Sequence, residues 1–212
     1  MFVTFEGIDG SGKSTLIQSL DEHLRTQGHP VVTTHEPGDG TLGWQLRPIL
    51  LDLKNKDLSD RAELFLYLAD RAQHVHEMIA PILSSGAIIL CDRFIDSTVA
   101  YQGYGRGLNL AMLRNLNDIA TAAVVPDLTL VLDIDPEIAL SRAKARNAGA
   151  GTIESEGRFE ALALDFHKRV RRGFLELAAA EPGRIRVIDA ARDYNSVFKD
   201  GLRLVEERMA HR

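Results

Sequence analysis

Nine residues near the start of the chain, Gly7-Ile8-Asp9-Gly10-Ser11-Gly12-Lys13-Ser14-Thr15, have the types and spacing needed to hold a polyphosphate. In a glycine-rich turn of this kind, the P-loop, successive backbone N–H groups point inward at the anion. Lys13 then reaches the β- and γ-phosphates and the Ser14 hydroxyl ligates Mg²⁺. The helix opening at Lys13 aims the positive end of its dipole at the same charge. The surroundings agree with this. Phe2-Val3-Thr4-Phe5 reads as a buried strand, and Leu16, Ile17, Leu20 and Leu24 follow a helical period.

The elements that must position this turn alternate along the chain. Strands are expected at Phe2–Glu6, Val31–His35, Ala87–Asp92, Leu128–Asp133 and Arg184–Ile188. Helices are expected at Lys13–Gln27, from about Leu42 to Leu51, and at Asp60–Leu83, Asp96–Tyr101 and Leu110–Ala122. Three more follow at Pro136–Arg146, Arg158–Ala180 and Asn195–Met209. The nearly unbroken apolar runs Ala87–Leu90 and Leu128–Leu132 suit strands covered on both faces. The pattern predicts a three-layer, doubly wound α/β fold, with a five-stranded parallel sheet between helices. Ligands of such sheets gather beyond the carboxyl ends of the strands. Those ends carry the P-loop, Glu36-Pro37-Gly38, Asp92-Arg93 and Asp133-Ile134-Asp135. Asn147 to Ile153 is too glycine-rich and small to pack a core, and reads as a mobile flap in a lid of about 142–158.

At 212 residues with no long linker, the chain reads as one domain. A net charge of −5 argues against a dedicated nucleic-acid binder. Cys91 is the only cysteine, so no intrachain disulfide and no cysteine-based zinc site forms, which fits a reducing cytoplasm. No apolar run has the length to cross a bilayer and no secretory leader is visible.

A P-loop suits a GTPase switch, a motor ATPase or a small-molecule kinase. A guanine-reading Asn-Lys-x-Asp is missing: Asn55-Lys56-Asp57 is one residue short and lies in a polar connector. Size and the arginines around one cleft favour a kinase using ATP. Phosphoryl transfer needs cations near both phosphates and a held Mg²⁺. Asp92 ends an apolar strand as a metal-holding acid would, its structural alternative being a cap or a pair with Arg93. Arg142 and Arg146, four apart on a helix leading into the flap, are placed to reach the transferring phosphoryl, or else form a solvated helix end. Tyr67 and Arg71, one helical turn apart, read on spacing alone as a core ring and a surface ion pair.

Together, Phe5 to Thr15, Glu36-Pro37-Gly38, Ala69-Asp70-Arg71-Ala72-Gln73-His74 and Asp92 to Gly103 resemble the bacterial thymidylate kinases. The likeness continues through Gly105-Arg106-Gly107, Pro126-Asp127, Leu132-Asp133 and Arg158-Phe159-Glu160. The resemblance implies phosphorylation of dTMP to dTDP by ATP with Mg²⁺, in a homodimer packed through long helices such as Asp60–Leu83. It implies that Tyr67 stacks on thymine and Arg71 binds a base carbonyl. Arg47 and Arg93 hold the 5′-phosphate, and Glu36, Thr98, Tyr101 and Gln102 line the acceptor. Asp9 contacts the deoxyribose hydroxyl or the metal-bound phosphates. Another nucleoside monophosphate, a deoxynucleoside, or a nucleotide-binding switch with no acceptor are the alternatives.

Members of this family keep a catalytic arginine either in the P-loop or in the flap. Gly10 occupies the P-loop position here, so the resemblance points to the flap type, with Arg142, Lys144 and Arg146 bordering the flap. Three residues depart from the common pattern: His35 replaces an arginine, Asp39 is inserted after Glu-Pro-Gly, and Gly157 replaces an aspartate. His74 and His76 are two apart on a helix and face different ways, which argues against a metal site there.

Overall fold

Five short apolar segments become strands: β1 (Phe2–Glu6), β2 (Val31–His35), β3 (Ile88–Asp92), β4 (Leu128–Asp133) and β5 (Ile185–Asp189). All pair in parallel, in the order β2-β3-β1-β4-β5, in a computed structural model that describes residues 1–211. β1 is buried throughout, and β3 and β4 are buried up to their last residue. The edge strands β2 and β5 expose some of their side chains, as parallel strands do where helices stop covering them.

The helices are α1 (Lys13–Thr26), α2 (Gly40–Leu51), α3 (Asp60–His74), α4 (Ala80–Ser84), α5 (Ile95–Thr98), α6 (Leu110–Thr121), α7 (Pro136–Ala150), α8 (Ile153–Glu156), α9 (Leu164–Ala180) and α10 (Tyr194–Ala210). Ser59, Asn109, Asp135 and Asp193 accept backbone N–H bonds at the starts of α3, α6, α7 and α10. Each such cap stabilises its helix by about 1 kcal/mol. Apolar stripes then dock the helices. Leu16, Leu20 and Leu24 of α1 join the core that contains Phe5, Leu90 and Leu130. Phe2, Ile89, Cys91 and Phe94 pack with Val75 and Ile79 in a second cluster.

Two segments are wider than α-helix. π-type turns at Val75–Ile79 join α3 to α4, and others at Val99–Gly105 extend α5. The second set carries Tyr101 and Gln102, a placement common for π-bulges at functional sites.

Two boundaries correct the sequence reading. The stretch read as a flap from Asn147 is helical to Ala150, because Asn147 is buried and Gly151, at φ 69°, is what ends α7. The helix expected from Arg158 starts instead at Leu164, since Arg158, Phe159 and Glu160 form a turn with buried side chains.

Strand register decides what meets at the sheet's carboxyl edge. Phe5 and His35 both pair with Asp92, so the residues after β1, β2 and β3 emerge side by side. Behind that edge Arg184 forks onto Asp96, Nη1 to Oδ2 at 2.7 Å and Nη2 to Oδ1 at 2.8 Å, tying the entry of β5 to α5. The Asp96 side chain is only 4% exposed. Arg184→Met leaves that carboxylate buried without its cation, with the Thr129 hydroxyl still donating to it, and is expected to lower the unfolding free energy in urea by about 3 kcal/mol. A loss below about 1 kcal/mol, the level of a surface pair, would refute this.

Candidate active site

The loop after β1 threads between carbonyl oxygens that leave no room for side chains. A Cβ at Gly7 would lie 2.6 Å from the Leu132 carbonyl oxygen, and one at Gly10 2.0 Å from that of Ala139. Both glycines also sit at positive φ. Gly7, Gly10, Ser11 and Gly12 build the turn, and Thr15 points outward on α1. Asp9, Lys13 and Ser14 line a cavity of about 600 Å³.

Lys13 Nζ folds back onto the Gly7 and Ile8 carbonyls at 3.3 and 3.4 Å and stands 3.9 Å from Asp92. Burial pushes its ammonium down, as does the Arg93 charge, while Asp92 and Asp9 pull it up. Ser14 Oγ donates to Asp92 Oδ2 at 3.0 Å. Asp92 Oδ1 is buried with no hydrogen-bond partner. A hydroxyl beside a carboxylate oxygen with vacant lone pairs suits a small hard cation that completes its shell with phosphate and water.

The residue after Asp92 is strained for a purpose. Arg93 adopts φ 70°, and its guanidinium spans the cleft edge. Nη1 donates to the Gly7 carbonyl at 3.0 Å and to Ser97 Oγ at 3.1 Å. Nη2 donates to Asp9 Oδ1 at 2.7 Å and to the Tyr101 hydroxyl at 3.1 Å. The turn is caught from beneath by Glu6, which accepts from the N–H groups of Phe94 at 2.8 Å and Ser97 at 3.2 Å, and from Ser97 Oγ at 2.5 Å. Burial, with the Asp96 charge, pushes Glu6 up to about 7. Burial would raise Asp9 too, but the Arg93 and Lys13 charges more than reverse it, and that carboxyl stays well below its usual range.

Across the cavity lies a second polar group. Arg71 is not the surface residue that spacing suggested but is 1% exposed. Its Nε donates to Glu36 at 2.8 Å, Nη1 to Thr98 and Asn117 at 2.7 Å each, and Nη2 to the Phe94 carbonyl at 2.9 Å. Tyr67, Tyr101 and Phe159 form an aromatic wall, with Tyr101 and Phe159 edge to face at 5.5 Å. Arg47 Nη1 donates to the Pro37 carbonyl at 2.7 Å, and its Nε and Nη2 donate to Glu156 Oε1 at 3.2 and 3.0 Å. Arg47, Arg71, Thr98 and Gln102 all line the cavity that Lys13 and Asp92 line from the other side.

Of the two arginines on α7, only Arg146 lines the cavity. Its Nε donates to Asn147 Oδ1 at 3.1 Å, and its Nη2 lies 3.5 Å from Glu160. Arg142, one turn earlier, is exposed outside the cavity. The three departures have local reasons or none. Asp39 caps α2 by accepting from the Gly40 N–H at 2.9 Å and from Thr34 Oγ1 at 2.6 Å, which gives the inserted residue a task. A Cβ at Gly157 would lie 2.2 Å from the Ile153 carbonyl oxygen, so this tight turn excludes any larger residue. His35 is partly exposed near Asp39, and nothing here explains its choice over arginine.

Residues 5–200 match the family model described as thymidylate kinase. A thymidylate kinase of Solidesulfovibrio magneticus is 62% identical over 90% of this chain and 91% of its own. One of Nitratidesulfovibrio vulgaris is 56% identical over 97% and 95%. The crystal structure of thymidylate kinase from Ehrlichia chaffeensis superposes with a TM-score of 0.77 at 35% identity, covering 97% of this chain and 98% of that one. The chain belongs to the thymidylate kinase family. Among the described residues, no helix is long and apolar enough to cross a membrane.

Sequence reasoning noted the Asp70 to His74 stretch of this thymidylate kinase family member but missed its work. His74 Nδ1 pairs with Glu36 Oε1 at 2.9 Å and its Nε2 with Thr34 Oγ1 at 2.7 Å, so it braces the carboxylate that orients Arg71. Glu63, buried on α3, was missed altogether. The one available signal was a charged residue recurring at apolar spacing, four before Tyr67. Asp70 accepts from the Gly38 N–H at 3.3 Å through Oδ1, and its Oδ2 is buried without a partner. Burial and the nearby Glu36 charge push that carboxyl from 3.8 to about 7. A carboxyl held up in this way takes up a proton on folding, so native stability falls as pH rises from the unfolded value toward 7. Asp70→Asn is expected to flatten that fall by about 1–2 kcal/mol between roughly pH 5 and pH 8. Urea unfolding at both values tests it, and parallel wild-type and variant slopes would refute it.

Proposed function

We propose that this chain transfers the γ-phosphoryl of ATP to dTMP, giving dTDP for dTTP synthesis, by direct in-line displacement with no phosphoenzyme. The observation that carries this reading is that one cavity joins a lysine, a hydroxyl and a carboxylate on one side to arginines, an aromatic ring and an amide on the other. Lys13, Ser14 and Asp92 line one side, and Arg47, Arg93 and the Tyr67–Arg71–Gln102 group line the other. A switch or binding module with no acceptor has no use for the second half.

The P-loop N–H groups and Lys13 hold the β- and γ-phosphates, and the start of α1 adds its dipole. Ser14 and Asp92 are the residues to hold Mg²⁺, supported by the unpartnered Asp92 oxygen. When bound, the ion neutralises charge on the transferring oxygens. Arg93 and Arg47 hold the acceptor 5′-phosphate, and Arg93, anchored by Asp9, fixes it in line with the donor. Two guanidinium forks suit a dianion better than ammonium groups do. Tyr67 stacks on the base and Arg71 donates to a base carbonyl, with Glu36 and Thr98 setting the guanidinium plane. Tyr101 packs beside the sugar.

The segment from about 142 to 158 acts as the lid, bringing Arg146 onto the transferring phosphoryl, with Arg142 joining it on closure. The exposed apolar side chains Trp44, Phe65, Met112 and Ile119 lie on α2, α3 and α6 and support a homodimer through these helices. A single buried cysteine supports a cytoplasmic location.

A panel of nucleoside monophosphates with coupled ADP detection tests the assignment. Thymidylate is expected to turn over fastest, and faster turnover of uridylate, cytidylate or a deoxynucleoside would overturn it. Arg146→Ala is expected to lower kcat by about 100-fold while changing KM for dTMP less than about threefold. A variant retaining full rate would remove Arg146 from the mechanism.

A further inference from the structure

Glu63 sits in the first turn of α3, 0% exposed, and makes no contact with the phosphate half of the cavity. It is a hub for donors. Gln102 Nε2 donates to its Oε1 at 2.8 Å, and Arg106 donates through Nε to Oε1 at 3.3 Å and through Nη2 to Oε2 at 2.9 Å. Arg158 Nη2 completes the set 2.7 Å from Oε2, close enough to pair in charge but too bent to count as a hydrogen bond. A carboxylate paired with two guanidinium groups accepts and does not donate.

This has a consequence for Gln102, whose amide has a donor end and an acceptor end of nearly the same shape. The end facing Glu63 must be the NH₂ group, because an amide oxygen there would meet carboxylate oxygen. The Gln102 oxygen is therefore the end left to the cavity, and it accepts no hydrogen bond among the described residues. Arg71 lines the same cavity and has one Nη2 hydrogen left over after four donated bonds. An acceptor and a donor fixed in this way match a base edge that offers an N–H next to a carbonyl, as thymine and uracil do. Cytosine offers a bare ring nitrogen next to an amino group, so both positions would be mismatched.

We infer that Glu63 is a specificity-positioning residue, which selects imide bases over cytosine by locking the orientation of the Gln102 amide. The inference rests on the reading of Gln102 as lying beside the acceptor base. In Glu63→Gln, Arg106 and Arg158 still demand an oxygen at the Oε2 position. The new NH₂ group therefore faces Gln102, which must turn over and present its own NH₂ group to the cavity.

The test compares dUMP with dCMP, which differ at the edge in question and both lack the 5-methyl group. Glu63→Gln is expected to narrow the ratio of their kcat/KM values at least tenfold, mainly through KM, while the KM for ATP stays within about twofold. Gln102→Ala is expected to narrow the same ratio. If Gln102→Ala leaves the ratio unchanged, the amide is not at the base and the proposal falls with that placement. If Gln102→Ala narrows it but folded Glu63→Gln does not, the locking role of Glu63 is wrong and the site reading stands. Should Glu63→Gln fail to fold, side-chain amide hydrogen exchange of Gln102 in the wild-type enzyme decides. Protected NH₂ protons support the lock, and exchange at the rate of an exposed amide overturns it.

Discussion

The geometry of the cleft depends on a buried carboxylate beneath a strained residue. Glu6 ends the central strand β1 and receives the N–H groups of Phe94 and Ser97, the first and last residues of the turn that follows Arg93. That grip holds Arg93 at φ 70°, a conformation costing a side-chain-bearing residue of order 1 kcal/mol. Arg93 in turn bonds the P-loop carbonyl of Gly7 and the carboxylate of Asp9. The P-loop and the turn after β3 are thus two ends of one hydrogen-bonded strap. Neither side of the cavity can shift without moving the other, as the proposed in-line transfer over a few ångströms demands.

Arginines in and behind the cavity are held by carboxylates, which reconciles a net charge of −5 with so many inward arginines. Arg93 has Asp9, Arg71 has Glu36, Arg106 and Arg158 share Glu63, and Arg47 has Glu156. Buried guanidinium groups need such partners, because removing one from water without compensation costs several kcal/mol. The pairs differ in burial. Glu36 and Glu63 are sealed and position their arginines, whereas Glu156 is about one-third exposed and sits at the end of α8. Its carboxylate occupies the fork of Arg47, the place that the proposed function gives to the acceptor phosphate.

Much of this was legible in the sequence for a physical reason: strands, P-loop and strand-end residues are encoded locally. Lys13, Ser14 and Asp92 could be placed from spacing alone, since an apolar strand followed by a glycine turn has few ways to fold. Arg71 and Glu63 could not. A buried ion pair looks in sequence like a surface one, and only the arrival of Glu36 from β2, or Arg158 from beyond α8, makes burial tolerable. The end of α7 was misread for a similar reason. Ala148-Gly149-Ala150 looks too small to be held, yet Asn147 anchors that turn through Glu160, thirteen residues on.

Gly10 ties this catalytic layout to the packing of α7. Its missing side chain is what lets the Ala139 carbonyl approach to a distance at which a Cβ would sit at 2.0 Å. An arginine cannot move from the flap to this place in the loop by a single substitution, because the backbone of α7 already fills the space. The two ways of supplying the charge are alternative packings as much as alternative residues, so passage between them needs a loop change and a helix displacement together. On the proposed mechanism, a chain with glycine here is therefore held to its flap arginine by sterics, whatever the chemistry would tolerate.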